Sequence, residues 1–300
     1  MMLTRRSLLL GSALAPLAAM DLSKFHLGVT TDEIDEDALT AVKFLREFHL
    51  NWAEVRSVWG KYNTEQPVEK IQELRKIFDE YQIKLSILGT SFFKIPLPAE
   101  TSEGQAILDK QWEMLDRAIV RAKIMGTDQL RVFGFTYKTG SEPDKANYPR
   151  IYELLSHAAK KAKAQGIRLA MENVNTSYVW SSTQTAAVLK HVKEDNFGLT
   201  WDPNNAAQTL EISFPTGYKL LDPARIFHVH LRDFKKGADG KVDWCAVGEG
   251  EMDNLGQIRA LLKDGYKGKF TLETHYKSPQ GKAHASRTSL TALLKVVEKV

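Results

Sequence analysis

Cysteine is nearly missing: Cys245 is the single one in 300 residues, which excludes an internal disulfide and a thiolate metal cluster. Stability must then come from a packed core, and 43% hydrophobic residues in a chain of this length suffice for one large α/β barrel or two small domains. An excess of one charge is missing too. The formal net charge is only +4, and Arg5 and Arg6 contribute to it from an amino-terminal leader. Nothing builds the concentrated basic surface that displaces counterions from nucleic acid. No Gly-x-Gly-x-x-Gly run follows the first strand-like segment, which counts against a dinucleotide site and an open doubly wound sheet. No stretch reaches the roughly 20 apolar residues that a bilayer span needs.

Residues 1–20, MMLTRRSLLLGSALAPLAAM, set paired arginines ahead of an apolar stretch and then small residues, the order of an export signal and not of a folded element. The TRRSLLL core fits a twin-arginine signal, with Leu8 where that motif often carries Phe. The expectation is a periplasmic or secreted protein with no stable membrane insertion once the signal is removed. Such export carries folded proteins, so any metal would be acquired before crossing. Residues 21–300 hold no low-complexity linker and are expected to form one domain.

Along that domain, β-rich runs recur at intervals of roughly 25 to 40 residues, each followed by a segment of helical periodicity. The runs are FHLGVT at Phe25 to Thr30, NWAEVR ending at Arg56, IKLSILG ending at Gly89 and QLRVFGF from Gln129. Four more are IRLAMEN at Ile167 to Asn173, FGLTWD at Phe197 to Asp202, IFHVHLRD at Ile226 to Asp233 and KFTLETH at Lys269 to His275. Amphipathic helices are predicted over Thr64 to Tyr81, Gly104 to Met125, Tyr148 to Gln165 and Ser182 to Val192. Gly126 and Gly166 stand where a left-handed residue closes a helix. Eight βα units in alternation predict a single (β/α)8 TIM barrel.

In such a barrel the active site lies where the strands end, because the βα loops surround that mouth. The last four strands end in Glu172, Asp202, the pair His228 and His230, and Glu273. Three carboxylates converging on one rim repel one another unless protonated or bridged by a cation. One divalent ion resolves this; oxygen and imidazole donors without thiolate suit Mn²⁺, Mg²⁺, Co²⁺ or Zn²⁺, and Mn²⁺ is favoured. His228 and His230 share a face, so alternation does not separate them; His230 lies nearer the rim and His228 one layer deeper.

The segments AMENVN, LTWDPNN, HVHLRDF, VGEGEMDN and TLETHY resemble the xylose isomerase-like barrel superfamily, which includes D-tagatose 3-epimerase, hydroxypyruvate isomerase, inosose dehydratase and the endonuclease IV group. The resemblance spans nearly the whole domain. It implies that Glu172, Asp202, His230 and Glu273 bind one metal ion. It also implies that Glu172 and Glu273 are catalytic, one removing a proton beside a carbonyl and the other returning one to the opposite face, through a metal-bound enediolate. The expected activity is metal-dependent sugar isomerisation or epimerisation on a small sugar or polyol, with no nucleic-acid partner and with self-association into dimers or tetramers.

Two departures stand out. The epimerases of that group place a histidine three residues after the aspartate, where Asn205 stands here, and an arginine six residues after the histidine, where Lys236 stands. They bring in an alternative reading: a lyase or dehydratase acting on keto-sugars, keto-inositols or keto-glycosides at the same site. The substrate-binding candidates are Asn205, His228, Arg232 and Lys236, with Trp244 and Glu249 from the long glycine-bearing loop Phe234 to Asn254, a length that in a barrel points to function. Weaker leads are Asn173 and Asn175, and the early strand ends Glu54, Arg56, Thr90, Phe92 and Phe133. His26 reads as a core histidine.

Overall fold

The computed structural model describes residues 25–137, 143–208, 211–238 and 240–300; the segment 1–20, expected to be an export signal, lies outside them. Eight parallel strands close into a barrel: β1 (Leu27–Thr30), β2 (Trp52–Val55), β3 (Lys84–Gly89), β4 (Gln129–Val132), β5 (Arg168–Glu172), β6 (Phe197–Trp201), β7 (Ile226–Leu231) and β8 (Lys269–Leu272). Each pairs with its sequence neighbours, and β1 pairs with both β2 and β8. This is the predicted TIM barrel. The strands are buried along nearly their whole length, as expected where helices cover one face and the barrel lumen the other.

The helices are α1 (Ala38–Glu47), α2 (Val68–Glu80), α3 (Ser102–Met125), α4 (Tyr148–Lys163), α5 (Ser182–His191), the single turn α6 (Pro203–Ala207), α7 (Asn254–Lys263) and α8 (Lys282–Val297). Gly126 and Gly166 follow α3 and α4 with φ of 75° and 72°, the predicted left-handed closures. Helix α2 begins at Val68, later than predicted, with Pro67 at its N-cap. The buried faces of the long helices, such as Leu115, Ala118 and Ala122 of α3 and Leu155, Ala158 and Ala162 of α4, pack against the outward strand residues. Replacing a fully buried leucine of that shell by alanine costs about 2–5 kcal/mol.

The lumen at the mouth end is ionic. Glu54, Arg131, His228, His230 and Thr271 fill it, all at most 1% exposed. Charges at that depth persist only when paired, and a register irregularity between Ala53 and Glu54 accompanies the inward aim of the glutamate. The predicted long loop after β7 is an antiparallel hairpin, Asp233–Lys236 with Val242–Cys245. Asp233 holds the turn beyond it, its carboxylate accepting from the backbone N–H of Phe234, Gly248 and Met252 at 3.0, 2.8 and 3.1 Å. The buried Asp233 is thus a backbone clamp.

Candidate metal and active site

Glu172 ends β5, Asp202 and Glu273 follow β6 and β8 by one residue, and His230 lies within β7. The strand-loop sequence fixes their aim. In Asp-Pro-Asn-Asn, Asp202 is the N-cap of α6, its Oδ1 accepting from the N–H of Asn204 and Asn205 at 2.9 and 3.1 Å. The Asn173 amide ties this turn to the end of β5, with Oδ1 accepting from Asp202 N–H and Nδ2 donating to Asp202 O, both at 2.8 Å. Asp202 Oδ2 is left to face inward.

The four side chains meet. Glu172, Asp202, His230 and Glu273 each offer a donor atom within 4.8 Å of the others. His230 Nδ1 lies 3.8 Å from Glu172 Oε1, 3.8 Å from Asp202 Oδ2 and 3.6 Å from Glu273 Oε2. Ligands bonded to one ion at about 2.1 Å stand roughly 3.0–3.4 Å apart, so His230 Nδ1 is within a few tenths of an ångström of that separation from each of the three carboxylates. Two orphans support the fit: His230 Nδ1 and Glu273 Oε2 are buried without a hydrogen-bond partner, a costly state that a cation would relieve.

Glu54 sets the histidine's tautomer. Its Oε2 lies 2.9 Å from His230 Nε2, and its pKa is held low, burial being outweighed by His230, His228 and Arg131. An ionised carboxylate only accepts, so Nε2 carries the proton and Nδ1 keeps its lone pair toward the cluster when the ring is neutral. Glu54, a weak lead in the sequence, is a structural centre here: Oε1 accepts from Arg131 at 3.1 Å, and His228 Nε2 lies 3.3 Å from Oε2.

Arginines share the carboxylates of the cluster. Arg131 Nε lies 3.3 Å from Glu172 Oε2, Arg56 donates to Glu273 Oε1 at 2.9 Å and to Asp32 and Glu33, and Arg232 bonds Asp202 Oδ2. Against burial, which raises both glutamates, Arg131 chiefly holds Glu172 below the usual carboxylate range. Glu273 is held well below it by His275, Arg232 and His230. Asp202 stays raised because burial exceeds the pull of Arg232. Burial lowers His230, but the Glu54 and Glu273 charges and the hydrogen bond that its ring donates to Glu54 lift it well above the normal histidine value. Without an ion, the cluster draws a proton onto His230 in its place.

Above the cluster opens a cavity of about 210 Å³ lined by, among others, Arg56, Lys94, Arg131, Glu172, Glu273 and Trp244. Of the substrate candidates, Asn205, Arg232 and Trp244 reach it. Asn205 Nδ2 donates to Glu172 Oε1 at 3.3 Å, and the Arg232 guanidinium lies 4.5 Å from the Trp244 ring centre and bonds His275. Three other candidates lie elsewhere. His228 is fully buried beneath the cluster, bonded to Thr271 Oγ1 at 2.8 Å. Lys236 turns away, its Nζ donating to Ala207 O at 3.0 Å. Glu249 stands exposed on the turn beyond the hairpin, and none of the three lines the cavity. Asn175 and Arg56 do line it; Thr90, Phe92 and Phe133 are buried behind. His26 lies at the opposite face beside Trp52. Sequence reading missed Arg131, Lys94 and His275. Nothing in their spacing marks them, since only the closed barrel brings β3, β4 and β8 around one point.

Residues 42–295 match the family described as xylose isomerase-like TIM barrel. Among curated proteins, the chain is 25% identical over 176 residues to the putative L-ribulose-5-phosphate 3-epimerase SgbU of Escherichia coli (strain K12), a match covering 57% of this chain and 60% of that protein. The chain thus spans about three fifths of the length of that curated relative. Among solved structures, an IolI protein with a bound zinc atom superposes with a TM-score of 0.74 at 17% identity, over 92% of this chain and 99% of that one. The D-allulose 3-epimerase of Methylomonas sp. in complex with D-allulose superposes with a TM-score of 0.69 at 19% identity, over 88% of each chain.

Proposed function

The chain belongs to the xylose isomerase-like TIM barrel family, and from that footing we propose that it is a divalent-metal-dependent sugar isomerase or epimerase. The observation that carries this reading is the meeting of Glu172, Asp202, His230 and Glu273 at one end of the barrel, with His230 Nδ1 and Glu273 Oε2 buried without a hydrogen-bond partner. These four residues would hold the ion. When bound, it supplies positive charge to a substrate carbonyl and its neighbouring hydroxyl, making the adjacent C–H more acidic. The donors admit Mn²⁺, Mg²⁺, Co²⁺ or Zn²⁺; zinc is the ion of the IolI structure.

The residues of the chain then divide the work. Glu172 and Glu273, both held ionised, stand ready as bases. One takes the proton from the carbon beside the carbonyl, the C–H electron pair forms a carbon–carbon double bond, and the carbonyl pair moves onto oxygen. In an epimerisation the other glutamate takes up a proton from solvent and delivers it to the opposite face while the first releases its proton to solvent; in an isomerisation the first glutamate delivers its proton to the neighbouring carbon, with a shift of the hydroxyl proton between the two oxygens. Asn205 and Arg232 orient hydroxyls, and Trp244 covers one side of the cavity. The epimerase names of the curated relative and of the allulose-bound neighbour support this class. With the leader read as a twin-arginine signal, the substrate is one met outside the cytoplasm.

The test is incubation of metal-loaded protein with free and phosphorylated ketoses, inososes and keto-glycosides in deuterated water. Exchange at one carbon without mass loss supports the reading. Exchange accompanied by loss of water or an aglycone moves the chain to the lyase alternative, and no exchange with any substrate, while metal binds, overturns it.

A further inference from the structure

Lys94 is the cavity cation left over. Arg56, Arg131 and Arg232 are each engaged with carboxylates, whereas Lys94 makes no ion pair within 4.0 Å among the described residues. Its Nζ lies 4.7 Å from the centre of the Phe133 ring, a fully buried side chain that offers no strong acceptor beneath it. The ammonium donors are therefore free to face the cavity. Desolvation, with Arg131 and Arg56, draws its pKa below the usual lysine value against the pull of Glu172 and Glu273, so it stands in the field of both the carboxylates and the arginines of the cluster.

The backbone that carries Lys94 is fixed. Phe93 N–H donates to Gln111 Oε1 at 2.8 Å, and Phe92, Phe93 and Ile95 accept through their carbonyls from the N–H of Phe133, Phe135 and Thr136 at 3.0, 3.1 and 2.8 Å. Phe93, stacked on Phe92 and Phe135, adopts φ of +62° immediately before the lysine. A bulky residue in the left-handed region is retained only where its surroundings enforce it, and such strain gathers at functional sites. Lys94 itself is exposed, standing on this fixed backbone at the open side of the cavity.

We propose that Lys94 is a catalytic residue whose ammonium faces the substrate oxygen that becomes negative when the carbon gives up its proton. The inference rests on the isomerase or epimerase reading. Geometry favours it: Arg56, Arg131 and Arg232 are each held by carboxylates, so Lys94 is the cavity-lining ammonium that a developing negative oxygen can engage without displacing an ion pair. A fixed cation aimed at a charge that develops only in the transition state lowers the barrier without tightening the ground state.

The test compares wild type, Lys94→Met and Lys94→Arg in the deuterium-exchange assay on the substrate that the wild type turns over, with metal affinity read separately by calorimetry. The expected result for Lys94→Met is a fall of about 10²–10³ in kcat for exchange, with KM and metal affinity within about threefold of wild type and partial recovery in Lys94→Arg. Exchange at the wild-type rate in Lys94→Met overturns the proposal. A loss confined to KM, and only for phosphorylated substrates, also overturns it by making Lys94 a phosphate anchor. If the wild type itself exchanges nothing, the functional reading has failed, and this one with it.

Discussion

Glu54 serves three partners with two oxygens, and the lone pair that His230 turns to the cluster depends on it. Oε2 receives the Nε2 proton of His230 and also meets His228, while Oε1 holds Arg131. In Glu54→Gln the amide keeps the shape but not the charge. Metal affinity is expected to fall about 10–100-fold, and stability by roughly 3–5 kcal/mol, because a fully buried partner of Arg131 has been removed. A calorimetric metal titration beside a denaturant melt checks both. Asp202→Asn separates cap from ligand: Asn caps a helix as well as Asp, so α6 should persist while metal binding is lost. Retention of wild-type metal affinity in that variant would remove Asp202 from the proposed ligand set. Glu172, Asp202, His230 and Glu273 were legible in the sequence because each stands at the end of an apolar run on consecutive strands. Glu54 was only a weak lead as an early strand end and Arg131 was not marked at all, since their pairing crosses the lumen between strands whose separation no local spacing encodes.

At the level of elements, the hairpin after β7 brings Trp244 to the cavity, and Asp233 anchors its base to the following turn. Its length and glycines announced a functional loop, but hairpin pairing left Glu249 on the outer turn, and Lys236 found a backbone carbonyl at the end of α6. Those placements depend on where the turn folds back, and residue types alone did not fix that. The helix closures at Gly126 and Gly166 were legible because they obey a local rule. In Asp233→Ala the N–H groups of Phe234, Gly248 and Met252 lose their acceptor, a cost of about 1–3 kcal/mol if one of them stays dry. Amide exchange should quicken over residues 246–252 and KM should rise through Trp244, while metal affinity holds. Unchanged exchange over that turn would show that the clamp contributes nothing to its order.

For the whole molecule, the ionic lumen ties stability to pH in a direction that the metal should reverse. In the metal-stripped protein His230 has its pKa raised, so its contribution is fully present below the unfolded value of about 6.5 and is lost as pH climbs through the folded value. Asp202, also raised, loses its contribution in the same sense from lower pH upward. Glu172 and Glu273, both lowered, contribute above about 4.5 and fail as pH falls through their folded values. The stripped protein should therefore be most stable between about pH 5 and 6.5 and should weaken above that range. A metal ion needs His230 deprotonated, so its binding strengthens over the same interval in which the stripped protein weakens. At about 100 times its dissociation constant it adds about 2.7 kcal/mol. Melting temperatures measured from pH 6 to 8.5, with chelator and with Mn²⁺ or Zn²⁺, should diverge as pH rises. A constant gap would mean that no proton leaves the cluster when the ion arrives, and His230 would then not be the residue that trades one for the other.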